Sequence, residues 1–192
     1  MKRPGLLPAL ARIAAAGALG YAARGRLADS DEEARKMIAG RSSETLDKTM
    51  PILTDLGSTY AVGGAAAVLW AFGHRSRARD VAAAGMIAWG AAQGAKRLYR
   101  RARPYEMDDI QILVRKPAGQ SYPSGHPAVA AAVTRVLEPN LRQPARRLVS
   151  RIPRMVAFSR VYVGVHYPTD VIGGLLLGRA VGDLYKRYGP RD

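Results

Sequence analysis

The stretch SRVYVGVHYPTD, residues 159–170, joins the end of one apolar segment to the start of another and contains Arg160, His166 and Asp170. Pro168 suits the first position of a helix, where its fixed φ is pre-organised and its missing N–H costs nothing. The reading therefore starts a helix at Pro168 and puts Asp170 in its first turn. The helix dipole favours a carboxylate there, which is a sufficient structural reason for an Asp. Asp170 also lies four residues after His166. At that distance it can hold one imidazole N–H and leave the other ring nitrogen free as a nucleophile. Ahead of the turn, Met155 to Val165 reads as a helix, and the last helix runs from Pro168 through Gly173-Gly174 and Gly178 to about Tyr188.

Two further stretches carry the same chemistry. In Pro123-Ser124-Gly125-His126-Pro127 a second Pro suits a helix start, with the helix running from about Pro127 to a point before Pro139. The free amides of a first helical turn make an anion site, to which Ser124 adds a hydroxyl and Gly125 a close backbone approach. His126 stands at its rim; the plain alternative is a tight turn with a surface His. Lys96 and Arg103-Pro104 supply cations, and with Arg160 they match the equatorial oxygens of a phosphoryl group in transit. Arg grips two such oxygens at once, and Lys acts as a point charge. With Arg97, Arg100 and Arg101 alongside, the same run also reads as an ordinary basic helix end.

The composition fits helices. The 192 residues suit one domain, 1–192, and Ala and Gly make up much of the 48% apolar content, as in helices packed through small side chains. The absence of Cys excludes a disulfide framework and thiolate metal sites. A formal charge of +15 suits nucleic acid, anionic headgroups or phosphorylated substrates. Few aromatics are interleaved with the basic residues and no nucleic-acid module is present, so nucleic acid is not the expected partner. Glu106, Asp108 and Asp109 read as a solvated loop, and no metal or cofactor is expected.

Along the chain, Met1 to Ala23 reads as a retained first helix behind Lys2-Arg3, with a signal peptide or a signal anchor as the alternatives. Ser30 to Glu33 has the form of a capping box, with Ser30 as N-cap of a helix reaching Gly40, and another helix spans about Ser43 to Met50. Leu56 to Gly73 is free of charge for 18 residues and Val81 to Ala95 for 15, separated by a basic turn from His74 to Arg79. The first just meets the length of roughly 20 residues that a bilayer span needs and the second falls short. A charged connection from Arg142 to Arg154 precedes Met155. If the helices alternate across a membrane, the basic turns share one side and the chemical stretches the other. Positive-inside logic then puts the chemistry outside the cytoplasm, in a bacterial-type plasma membrane. Arg135, Arg179 and Asp183 interrupt the apolar segments and suit shallow embedding as well as full spanning.

Taken together, Lys96 with six residues before Arg103-Pro104, then Pro123-Ser124-Gly125-His126, then Ser159-Arg160 with His166 and Asp170 resemble the type 2 phosphatidic acid phosphatase superfamily. The likeness covers about residues 46–182, including Leu53-Thr54-Asp55-Leu56-Gly57-Ser58, with 1–45 as additional N-terminal helices. The resemblance implies an all-α fold: a membrane-associated bundle of about six core helices, as in these phosphatases and the haloperoxidases. It implies a metal-independent hydrolysis of a lipid phosphate or diphosphate. His166 would form a phosphohistidine, Asp170 would orient it, and His126 would protonate the leaving oxygen and then activate water. Lys96, Arg103, Ser124, Gly125 and Arg160 would hold the phosphate. The expected partners are the lipid phosphate and the membrane, with room for a homo-oligomer. The competing readings are a vanadium-dependent haloperoxidase, a soluble acid phosphatase on small esters, and a non-catalytic cationic binder.

Overall fold

In the computed structural model, which describes residues 4–190, every regular element among the described residues is helical. The helices are α1 (Leu6–Ala22), α2 (Ala28–Ala39), α3 (Glu44–Asp55), α4 (Thr59–Ala71), α5 (Arg75–Tyr99), the one-turn α6 (Pro104–Met107), α7 (Gly125–Leu137), the short α8 (Ala145–Val149), α9 (Ile152–Tyr162) and α10 (Pro168–Tyr188). A single turn of 3-10 helix, Glu138–Asn140, follows α7. The long helices α3, α4, α5, α7, α9 and α10 make up the expected six, α1 and α2 come ahead of them, and α2 packs across α9 and α10. Lys2 and Arg3, which entered the charge reading, lie outside the described residues.

The centre of the bundle is α7, packed against α5, α9 and α10. Its buried face is built from small residues, Ala128 to Ala132, facing Val81, Ala84 and Ala88 of α5 and Val181 of α10. Short side chains let the helix axes approach closely, and α10 contributes glycines where they do. A Cβ at Gly178 would overlap the carbonyl oxygen of Ala128, and one at Gly174 the carbonyl oxygen of Ser124. The contact holds the first turns of α7 and α10 side by side, where the Ser124 N–H donates to the Asp170 carbonyl at 2.9 Å. Gly178→Ala is accordingly expected to cost about 1–3 kcal/mol by forcing the pair apart. At Gly63, where a Cβ meets nothing within 4 Å, Ala should instead add up to about 1 kcal/mol through helix propensity. Urea unfolding followed by far-ultraviolet circular dichroism separates the two, and equal midpoints would refute the packing argument.

The charges that interrupt the apolar segments largely find one another. Asp183, 4% exposed, accepts from Arg135 at 2.6 Å and from Arg12 at 2.7 Å. A buried carboxylate is tolerable when paired in this way. Arg179 stays exposed. At the same end Tyr185 donates to Asp80 at 2.9 Å and Arg187 to the Pro4 carbonyl at 3.1 Å. The starts of α1, α5 and α9 and the ends of α7 and α10 therefore share one end of the bundle, remote from Lys96, Ser124 and Asp170.

Several boundaries differ from the sequence reading. Ser30 is not an N-cap: α2 begins at Ala28, and Asp31 turns inward as a buried residue. The helix expected to stop near Met50 continues through Pro51 to Asp55, held by the buried Met50 and Thr54. The uncharged segment 56–73 is not one helix, because Ser58 caps α4 by accepting from Ala61 N–H at 3.1 Å. The bend between α3 and α4 is 63°. The basic turn from His74 to Arg79 is mostly the opening of α5, and α7 starts two residues ahead of Pro127. Among the described residues no single helix is both long and apolar enough to cross a membrane, and α3 with α4 meets the criterion only as a bent pair.

Candidate active site

Six elements deliver the site. Helix α5 brings Lys96 in its last turn and ends at Arg100, whose left-handed φ of 44° breaks the helix and turns the following residues inward. Arg103, 2% exposed, starts α6, and its own N–H donates to Glu106 Oε2 at 2.8 Å. The loop before α7 carries Ser121 and Ser124, both fully buried, and the first turn of α7 carries Gly125 and His126. Arg160 comes from the last turns of α9. Past it, Gly164 takes φ +82°, a conformation that L side chains rarely adopt, and turns the chain so that His166 and Asp170 point back at the cluster.

The geometry around His166 is directional. Its Nδ1 lies 3.4 Å from Asp170 Oδ2 and 3.3 Å from Ser121 Oγ. Its Nε2 lies 3.2 Å from Nη1 of Arg103. An arginine N–H only donates, so that contact requires a lone pair on Nε2 and puts the ring proton on Nδ1, facing Asp170. Burial, reinforced by Arg103, Arg160 and Lys96, holds the imidazole well below its ordinary pKa, so the ring is neutral and its Nε2 lone pair faces Arg103.

The cations converge on the same space. The Arg103 guanidinium is fixed by the carbonyls of Gly119 at 2.8 Å and Val165 at 3.0 Å. The Lys96 ammonium donates to the Gln120 carbonyl, and burial with Arg103 beside it lowers its pKa to about 7. Arg160 donates to Thr54 Oγ1 at 3.1 Å, and burial lowers it to about 9. Two buried polar atoms among the described residues lack any partner: Ser124 Oγ and Arg160 Nε. Orphaned donors in a protein interior call for an explanation. Here both border a concentration of positive charge, and a bound anion would satisfy them. His126, half-buried, is pushed down to about 3 by burial and then by Arg160, Arg103 and Lys96. A Cβ on Gly125 would meet nothing within 4 Å, so the helix start opens onto free space.

Every site residue singled out from the sequence lies in this one cluster: Lys96, Arg103, Ser124, Gly125, His126, Arg160, His166 and Asp170. Glu106, Asp108 and Asp109 stay exposed outside it, and His74 is at the surface of the far end. Among the described residues no three His, Asp or Glu side chains converge as a metal site. The sequence reading gave no role to Thr54, Ser121, Arg101 or Asp31. Arg101 donates to Asp170 Oδ1 at 2.9 Å and pairs with Asp31 at 2.7 Å. Thr54 does fall within a stretch that carried the resemblance, but the other three bear no local signal.

Comparison with known proteins gives matches over much of the chain. The profile of the PAP2 superfamily matches residues 80–191. An undecaprenyl-diphosphatase of Sulfolobus acidocaldarius is 32% identical over 156 residues, covering 78% of this chain and 73% of that protein. A decaprenylphosphoryl-5-phosphoribose phosphatase of Mycolicibacterium smegmatis is 40% identical over 94 residues, 49% of this chain and 50% of that one. Among solved structures, a transmembrane PAP2-type phosphatidylglycerolphosphate phosphatase from Bacillus subtilis superposes with a TM-score of 0.72. The match spans 93% of this chain and 94% of that chain at 24% identity, a likeness of fold.

Proposed function

The chain belongs to the PAP2 superfamily, and on that premise we propose that it removes the terminal phosphate from a lipid phosphate or diphosphate of the polyprenyl type, through a phosphohistidine on His166 and without a metal. The observation that carries the reading is the pair of orphaned buried donors, Ser124 Oγ and Arg160 Nε, beside a neutral His166 whose Nε2 lone pair faces the Arg103 guanidinium.

The Nε2 lone pair attacks phosphorus and the bond to the leaving oxygen breaks, with His126 giving that oxygen a proton where it would otherwise leave as an alkoxide, and a phosphate leaving group departing as the anion. Water then attacks phosphorus while His126 takes the water proton, and the N–P electron pair returns to His166 as phosphate leaves. Lys96, Arg103, Arg160, Ser124 and the Gly125 amide carry the charge on the non-bridging oxygens in both steps, which is where phosphoryl transfer needs stabilisation. With cations already surrounding the phosphate space, the chemistry does not require a metal ion.

Two relatives are named for polyprenyl lipids, which supports that class of substrate. Exposed apolar side chains support a membrane setting: Tyr60, Val68, Trp70 and Phe72 on and after α4, and Met86, Ile87 and Trp89 on α5. Arg75, Arg77, Arg146, Arg147, Arg151, Arg154, Lys186 and Arg187 lie toward the end remote from the site. The reading that this end faces the cytoplasm and the site faces away from it rests on these basic connections.

The test is a substrate panel on purified protein in mild detergent, with and without EDTA. A polyprenyl diphosphate should release phosphate at least about 10-fold faster than p-nitrophenyl phosphate, because binding energy from the tail is used at the reacting group. EDTA should leave both rates unchanged. Loss of activity restored by Mg²⁺ would refute the metal-free reading, and equal rates on both substrates would refute the lipid reading.

A further inference from the structure

The carboxylate of Asp170 is fully buried, and its two oxygens face different partners. Oδ2 accepts from Ser121 Oγ at 2.5 Å and from the Tyr167 N–H at 2.9 Å, and faces His166 Nδ1. Oδ1 accepts from Arg101 Nη1 at 2.9 Å. Arg101 also donates to Thr169 Oγ1 at 2.7 Å, and its Cζ lies 4.0 Å from the centroid of the Tyr167 ring. Its other amino group pairs with Asp31 Oδ2 at 2.7 Å, and Asp31 in turn accepts from the Thr169 N–H at 2.9 Å and from its hydroxyl. The side chains of Asp31 and Asp170 are 0% exposed and that of Arg101 8%.

We infer that Arg101 and Asp31 are positioning residues for the reaction, holding Asp170 ionised and aimed at His166 Nδ1 so that the lone pair stays on Nε2. This rests on the phosphohistidine reading above. Asp31 lies in α2, outside the residues matched by the family profile, so a helix ahead of the matched region completes the assembly.

Burial, with Asp31 adding to it, leaves the pKa of Asp170 raised; Arg101 leads the opposing causes, followed by the hydrogen bonds from Ser121 and the Tyr167 backbone. The other charged or titratable groups around the carboxylate are Lys96 of α5, Arg103 ahead of α6, Arg160 of α9, and His166, Tyr122 and Tyr167 of the loops. Of the cations, Arg101 alone bonds the carboxylate directly; Lys96, Arg103 and Arg160 point toward the phosphate space. Asp31 fixes Arg101 from the opposite side, and through Thr169 it clamps the first turn of α10 that carries Asp170.

The experiment is the pH profile of kcat/KM, with kcat and KM taken separately and thermal midpoints measured in parallel. Arg101→Met should raise the acid limb by about 1–3 pH units, because an opposite charge at this distance shifts a carboxylate by that much. It should also lower kcat about 10- to 100-fold through misplacement of His166, with KM nearly unchanged. Arg101→Lys should bring the acid limb back toward the wild-type value. Asp31→Asn should lower kcat without raising the limb, since its own charge acts on Asp170 in the opposite sense. Loss of thermal stability alone, with limb and kcat unchanged, would overturn the inference. Where Arg101→Met does not fold, Arg101→Lys decides: a several-fold loss of kcat at constant KM supports positioning, and wild-type kcat overturns it. His166→Ala, run alongside, keeps the two readings apart. If it retains full turnover the phosphohistidine fails; if it is inactive while the Arg101 and Asp31 variants behave as wild type, only this inference fails.

Discussion

His166→Ala is expected to reduce phosphate release from a polyprenyl diphosphate by about 10⁴-fold or more, the scale on which loss of a nucleophile or its partner acts elsewhere. The fold should survive the change. His166 is 2% exposed, yet the groups it touches have other partners: Arg103 keeps the carbonyls of Gly119 and Val165, and Asp170 keeps Arg101, Ser121 and the Tyr167 N–H. The variant therefore leaves neither charge without a hydrogen bond, the circumstance that makes most buried substitutions severe. Phosphate affinity should also persist, since Lys96, Arg103, Arg160 and Ser124 are untouched. Two measurements check the result: steady-state release on the lipid, and acid-quench trapping of radiolabelled phosphate on the protein. Turnover within about 10-fold of wild type, a smaller loss than removal of even a general acid or base brings, would remove His166 from the role of nucleophile.

The wild-type geometry explains why this residue and not His126 is assigned to attack. Both rings are held neutral by burial and by the same three cations. Only His166 has a carboxylate on one nitrogen and a guanidinium on the other, which fixes its tautomer and the direction of its lone pair. When a phosphate enters, the Arg103 N–H that now faces Nε2 has phosphate oxygens to turn to, and the nitrogen is uncovered at the place where phosphorus arrives.

Local spacing made this much legible in the sequence. His166 and Asp170 stand one helical turn apart around Pro168, and the start of α7 is marked by Pro123-Ser124-Gly125, so both are set by nearest neighbours. Arg101 could not be read the same way. It sits among Arg97, Arg100 and Arg103, and only the left-handed backbone at Arg100 decides that Arg101 faces inward. Asp31 was obscured by a better local pattern: Ser30 and Glu33 match a capping box, but the pairing of Asp31 with Arg101 and Thr169 across the bundle determines how α2 sits. Arg135 and Asp183 give the converse case. In the sequence they interrupt two apolar segments, and in space the buried Asp183 pairs with Arg135 and with Arg12 of α1.

Replacing His126 by Ala is expected to have an effect that depends on the leaving group, and that dependence identifies its role more sharply than the size of the loss. With p-nitrophenyl phosphate the phenolate departs without needing a proton, so His166 should still be phosphorylated. Hydrolysis of the phosphohistidine then lacks its base and should slow by about 10²- to 10⁴-fold. The record would be a stoichiometric burst of nitrophenolate followed by a slow steady state, with labelled phosphate accumulating on the protein. An alkyl phosphate monoester must leave as a poor alkoxide, so both steps should slow and no burst should form. A polyprenyl diphosphate, whose leaving group is itself a phosphate, should behave like the phenyl ester. The neutral state of the ring in the empty site is consistent with both of its tasks. Burial first, and then Arg160, Arg103 and Lys96, hold its pKa at about 3, and a bound phosphate offsets the three cations. Substrate entry therefore raises the proton affinity of His126 when a donor is needed, and a monoanionic phosphate can bring that proton with it. Departure of free phosphate returns the ring to its neutral form. Equal losses on all three substrates, with no burst on any, would show that His126 moves no proton.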